Sequence, residues 1–259
     1  MPSNTLPTPK SLWHTRATWP AREDRLPSAV VLGILWIGIL AGFGTDFARY
    51  IHQKPAPPLI VHIHAAVFSV WMFLLTAQVL LVLRNRIAWH RTLGWIAAAW
   101  ACIMLILGPW AAMASQATHI HDKLDFSAFL AVNLVDVLGF FMLLAAGIAQ
   151  RKTPAAHKRL MILSSVSLAD PGFNRFIGLF WTNVPTSPAT FFIYVFFGNI
   201  LLIAVMTIWD IAKGRLLRSF VIGAASLLAA EYLAAWLLYN PSWGAFTHRA
   251  VIVWASHFG

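Results

Sequence analysis

Apolar residues in this chain come in long runs, not in the two-residue alternation of a half-buried strand or the narrow stripe of a soluble helix. The runs recur at 29–46, 58–83, 91–114, 126–149, 158–181, 189–212 and 217–239, and each comes close to the about 20 residues a helix needs to cross a hydrocarbon layer of ~30 Å. Inside lipid every backbone polar group has to be satisfied within the protein, so runs of this length are helices. The pattern predicts an all-α integral membrane helical bundle of about seven transmembrane helices over 28–240. Residues 1–27, rich in Pro, Ser, Thr and basic side chains, are expected to form a basic, disordered cytoplasmic tail. The first run lacks a small-x-small cleavage pattern and reads as a span, not as a signal peptide. Residues 241–259 are too short and too aromatic to span, and are expected to lie in the outer interface.

Composition agrees with the pattern: 59% of the 259 residues are hydrophobic and only 11% charged, against about a quarter charged in a soluble domain. The surrounding medium is a lipid bilayer. A net charge of +10 does not point to nucleic acid, because the basic residues sit in short clusters between the runs instead of on one soluble face. The clusters at Arg84, Arg86 and Arg91, at Arg151, Lys152, Lys158 and Arg159, and at Lys213, Arg215 and Arg218 alternate with loops poorer in Lys and Arg. By the positive-inside rule the N-terminus is cytoplasmic and the C-terminus lies on the far side. Cys102 is alone, which excludes a disulfide, a CxxC metal site and a CxxCH haem attachment; it reads as a small core residue.

Charged and amide side chains within the runs carry the candidate chemistry, since each is costly in hydrocarbon and needs a partner or a purpose. Asp136 lies midway along the fourth run with Asn133 one turn before it on the same face; Asp170 precedes Pro171 in the fifth, Arg175 follows a turn later, and Glu231 lies in the outer half of the seventh. Asn199 adds an amide to the sixth. Asp136, Asn133, Asp170, Arg175 and Glu231 would line an outward-opening polar pocket, with Arg175 paired to Asp136 or Asp170.

The histidines form a second set. At about 100° per residue His64, Trp71 and Gln78 share one stripe of the second helix, while His62, Ser69 and Thr76 share another nearly opposite. His62 and His64 therefore serve different surroundings. His90 and His157 each open a helix directly before a basic residue, at the same depth on the cytoplasmic side. Two imidazoles from different helices at one level are what a six-coordinate haem b requires. A stripe of Gly94, Ala97, Ala101 and Gly108 follows His90 and could admit a flat macrocycle or simply pack helices closely. Arg159 or Arg91 could neutralise a propionate. His64 with His119 or His121 could form an outer pair. The HxH pairs 62/64 and 119/121 leave a zinc or copper ion open, although no HExxH or Cys/His set accompanies them.

His64, Gln78, His90-Arg91-x-x-Gly94, His157-Lys158-Arg159-Leu160-Met161 and Arg175 together resemble a bacterial family of membrane proteins of unknown function, itself similar to transmembrane di-haem b-type cytochromes of the b561 kind. The resemblance covers about 59–180; Thr76-Ala77 stand where the family often has Gly-Pro. It implies a four-helix core made by the second to fifth spans, and that His64, His90 and His157 are the important histidines with Gln78 and Arg175 in the same site. His62, His119 and His121 rest on spacing alone. It also implies the inner membrane of a bacterial cell, with the C-terminus periplasmic. The expected function is haem-binding electron transfer with a membrane redox partner. The alternatives are a transporter or lipid- or small-molecule-binding protein using the polar pocket without a cofactor, and an accessory membrane subunit.

Overall fold

The computed structural model describes residues 13–14, 19, 21–120, 126–181 and 183–258. It is an all-α bundle. Five helices are long and apolar enough to cross a membrane: α1 (Arg25–His52), α2 (Leu59–Leu83), α3 (Ile87–Thr118), α4 (Leu130–Ala149, extended to Ser127 by a 3₁₀ turn) and α9 (Arg218–Leu238). The remaining two apolar runs are broken. The fifth is split into α5 (Pro154–Val166) and α6 (Asp170–Ile177), and the sixth into α7 (Pro188–Val195) and α8 (Phe197–Ala212), which meet at 69°. Pro171 cannot donate a helical hydrogen bond, and it sits at the first turn of α6, where its missing N–H costs nothing. The last helix, α10 (Pro241–Phe258), covers the segment expected at the interface and packs on α3.

The second to fifth runs pack in chain order, and the core they share also takes in residues of α1, α8 and α9. Helix α2 packs on α3, α3 on α4 and α4 on α5. Trp71 closes the ring: it is buried, lies edge-on to Phe140 of α4 with centroids 4.8 Å apart, and donates its indole N–H to Ser165 Oγ of α5 at 3.2 Å. The stripe that carries His64, Trp71 and Gln78 thus faces inward, while His62 on the other stripe is exposed and meets the Tyr50 hydroxyl at 3.0 Å. Large apolar side chains such as Leu40, Phe73, Ile106 and Met142 are exposed on the outside, as they are where lipid is the solvent.

Helix α1 holds α6 by a backbone-to-backbone approach. A Cβ at Gly42 would collide with the Gly172 carbonyl, one at Gly38 with the Phe173 ring, and one at Gly172 would stand 2.8 Å from Ile39 Cα. This is the small-xxx-small contact of membrane helices, in which the absence of side chains lets dispersion act over short distances.

Two expectations change. Of the segment 1–27, Trp13–His14 form a strand (β1) parallel to Leu216–Leu217 (β2), His14 Nε2 meets the Gly214 carbonyl at 2.9 Å, and Asp24 is buried. These residues belong to the fold because Asp24 is a carboxylate that basic residues of the bundle require. Cys102 is exposed on α3 instead of buried, because the packed face of that helix is the one carrying Ala97, Ala101 and Met104.

Replacing Gly42 by Leu should lower the thermal midpoint of the detergent-purified protein sharply, since the α1–α6 approach has no room and overpacking costs about 1–3 kcal/mol or more. Gly33→Ala, where an added methyl meets nothing within 4 Å, should leave the midpoint unchanged or raise it slightly through helix propensity. Equal midpoints for the two variants would contradict the packing.

Candidate functional site

The chain's polar chemistry gathers at three places. The first is the histidine pair. His90 enters from the first turn of α3 and His157 from the first turn of α5, and their rings lie 6.2 Å apart, centroid to centroid, at 83° to one another. His157 Nδ1 lies 2.8 Å from the Gly147 carbonyl at the end of α4. A carbonyl only accepts, so that bond places hydrogen on Nδ1 and leaves Nε2 with its lone pair in the neutral ring. His90 Nδ1 and both amide atoms of Gln78 are buried without a hydrogen-bond partner. Gln78 reaches this place from α2, with its Nε2 3.7 Å from where a Cβ on Gly94 would stand. The stripe behind His90 is packed: the Gly94 position is in van der Waals contact with Gln78, Ala97 and Ala101 are buried, and a Cβ on Gly108 would meet Val137 of α4 at 2.7 Å. Most of the stripe is therefore close helix packing.

His64 belongs to the same inward stripe but lies about 21 Å from Gln78 along the helix. Its ring lies over Phe68, centroids 4.0 Å apart, with Nδ1 buried and unpartnered. His119 meets Gln53 Nε2 at 3.2 Å, and His121 lies outside the described residues. Among the described residues no group of three or more His, Cys, Asp or Glu could hold a metal ion.

The second place is a group of buried carboxyls. Asp136 of α4, Asp170 at the start of α6 and Glu231 of α9 meet around Asn199 of α8, whose Nδ2 donates to Glu231 Oε1 at 2.7 Å. Asn133 is half-buried one turn before Asp136. Arg175 is not part of this group. It donates from Nε to Asp46 Oδ2 of α1 at 2.9 Å and covers the Phe43 ring, with its Nη1 on the Pro171 carbonyl at 2.7 Å. The expected pairing with Asp136 or Asp170 fails on helical phase: five residues after Asp170, Arg175 is turned about 140° around α6. The expected outward-opening pocket is thus divided into a buried carboxyl group and a separate, half-exposed Asp46–Arg175 pair.

The third place was not foreseen as a site. Arg159 of α5 is buried and holds two carboxylates at once: Nε and Nη2 donate to Asp210 of α8 at 2.7 and 2.6 Å, and Nη1 donates to Asp24 at 3.0 Å. Trp19 donates to the same Asp24 at 3.0 Å, and Arg215 pairs with the neighbouring Glu23. Burial alone would push the Asp24 carboxyl up. The hydrogen bonds from Arg159 and Trp19 and the charges of Arg159 and Lys158 outweigh it and hold the group below its ordinary value. Arg159 is therefore committed to structure and is not the neutraliser of a propionate. Glu23, Asp24 and Asp210 stand out as acidic residues beside otherwise basic ends of helices, but nothing in their spacing pairs them with Arg159.

Compared with family models, with curated proteins and with solved structures, the chain matches none. Its site therefore has to be read from its own residues.

Arg159→Gln should destabilise the protein by about 3–5 kcal/mol, the usual result of leaving buried charges unpaired, whereas Arg159→Gln combined with Asp24→Asn and Asp210→Asn should recover part of that loss. The check is a coupled unfolding series in detergent; strictly additive losses would show that the three do not interact. Because the Asp24 carboxyl is held low, its stabilisation is full above the ordinary aspartate value. It is lost as pH falls through the lower value in the fold, so Asp24→Asn should flatten the acid limb of the stability curve.

Proposed function

We propose that this chain is a b-type haem protein of the membrane that carries electrons, with His90 and His157 as the two axial ligands. The observation that supports it best is the spacing of the two rings. Two imidazoles bound to one metal ion on opposite sides, each through a bond of about 2.0 Å, have centroids roughly 6 Å apart, and these lie at 6.2 Å. The donor set points the same way. Two histidines with no third His, Cys, Asp or Glu gathered among the described residues suit an iron that brings four equatorial nitrogens of its own, and are too few for a zinc or copper ion held by protein alone.

The residues fit this group by two further features. The Gly147 carbonyl orients His157, and the buried amide of Gln78 supplies donors and an acceptor with no other partner. When bound, haem supplies one-electron transfer. The chain's own part is to fix both imidazoles from two rigid helices and, by the apolar wall of α2 to α5, to exclude water. The haem reading assigns no role to Arg175 and no second haem to His64. The charge of the loops orients the bundle with its N-terminus, and hence His90 and His157, on the cytoplasmic side of a bacterial inner membrane, where the electron partner would be met.

Protein purified from haem-supplied cells should show a Soret band and, after dithionite, the narrow α-band of a low-spin bis-histidine haem b. His90→Ala and His157→Ala should each abolish the band or convert it to high spin, and His64→Ala should leave it intact. A colourless preparation, or unchanged spectra in both variants, would reject the reading.

A further inference from the structure

The carboxyl group around Asn199 plays no part in the haem reading and presents a problem of its own. Asp136, Asp170, Glu231 and Asn199 are 7%, 1%, 0% and 0% exposed. Five of their oxygens, Asp136 Oδ1, both Asp170 oxygens, Asn199 Oδ1 and Glu231 Oε2, are buried with no hydrogen donor. Asn199 and Glu231 are joined by their 2.7 Å hydrogen bond, and Asp170 is close enough to Asp136, Glu231 and Asn199 to interact electrostatically with each. Ionised carboxylates only accept, so none of these oxygens can bond another until one of them carries hydrogen.

Among the described residues of α1 and α4 to α9, the positive charges are engaged or placed elsewhere. On α6, Arg175 is held by Asp46; on α1, Arg49 is held by the same Asp46 at 2.5 Å; on α5, Arg159 is held by Asp24 and Asp210, with Lys158 4.0 Å from Asp24 and His157 on the Gly147 carbonyl. Between Leu130 and Ala149 the only ionisable side chain of α4 is Asp136; α7 offers only Tyr194, α8 adds only Asp210, and α9 only Arg218 at its far end and the exposed Tyr232. Among the described residues no group of three or more His, Cys, Asp or Glu has the arrangement to hold a metal ion.

Asn199 provides the independent pointer. It is a neutral amide, fully buried, whose Nδ2 is engaged by Glu231 while its Oδ1 remains without a donor inside the group. An unpaired acceptor at such a place is destabilising unless an O–H is supplied. Backbone geometry also singles out the location. Asp170 opens α6 just after the break from α5, and Asn199 lies in the first turn of α8 just after the bend from α7. Interrupted membrane helices meeting at one depth are where ions are held in transporters, and the N-terminal end of α6 favours the one negative charge that a partly protonated group retains.

We propose that Asp136, Asp170, Glu231 and Asn199 form a proton-binding site within the bundle, in which protons taken from water are shared among the three carboxyls. Each uptake converts one –COO⁻ to –COOH, whose O–H bonds a facing oxygen, so the bound protons supply the donors that the buried oxygens lack.

Infrared spectra of the full chain in lipid nanodiscs, in H₂O and D₂O, test this without reference to haem. At pH 7 the wild-type protein should show the C=O absorption of protonated carboxyls, shifted to lower frequency in D₂O and lost on titration to high pH. The other described carboxylates are ion-paired with arginine and do not contribute. Asp136→Asn, Asp170→Asn and Glu231→Gln keep side-chain volume and bring their own hydrogens, and the band should lose intensity in at least two of them. Replacing choline chloride by sodium chloride should not change it. Absence of the band in the wild-type protein at pH 7 overturns the proposal whether or not every variant folds. A band unchanged in all three variants, or one removed by sodium, overturns it as well, the latter in favour of a metal cation.

Discussion

A charge or polar group moved from water into an apolar bundle costs several kcal/mol unless the bundle itself supplies its partner, and this chain's architecture follows from how each such group meets that demand. Arg159 meets it with two carboxylates from opposite ends of the sequence, Asp24 before the first helix and Asp210 at the end of the eighth. One guanidinium thereby ties the entry segment, α5 and α8 together. The fork geometry of arginine is what permits it, since a lysine ammonium presents no second planar face to bond bidentately.

The same demand explains where helices break. Five apolar runs stay continuous, and the two that do not carry Asp170 and Asn199 beside the interruption. A break frees backbone groups and turns the following residues to a new direction, which brings side chains from α4, α6, α8 and α9 to one buried point. Helix α6 can be so short because α1 takes it up through Gly38, Gly42 and Gly172, where the close approach replaces the length that a continuous span would bring to packing.

The two candidate sites therefore divide the bundle. The histidine pair is built on helix starts at one membrane face, between α3 and α5 with Gln78 of α2 beside it. The carboxyl group lies deeper, among α4, α6, α8 and α9. Helices α4 and α5 run between them, carrying Gly147 and His157 at one end and Asp136 and Ser167 at the other, where Ser167 Oγ donates to the Asp136 carbonyl at 3.3 Å. The α4–α5 pair is therefore common to both places.

The apolar runs by themselves determined the fold class, because burial in lipid leaves a helix as the only way to satisfy the backbone of a run of that length; that two of the seven expected spans are broken, leaving five long continuous ones, was decided only by the tertiary structure. Periodicity also separated His64 from His62, and equal depth paired His90 with His157, since both follow from rise and angle per residue alone. The partner of Arg175 was decided only in three dimensions. Depth in the membrane offered it Asp136 and Asp170, but rotation around α6 turned it to Asp46. The grouping of Asn199 and Glu231 with two aspartates, and the clamp of Arg159 on Asp24 and Asp210, were equally out of reach. Those contacts join residues 32, 135 and 51 positions apart, and helix-on-helix register is set by side-chain packing across elements, which no local periodicity encodes.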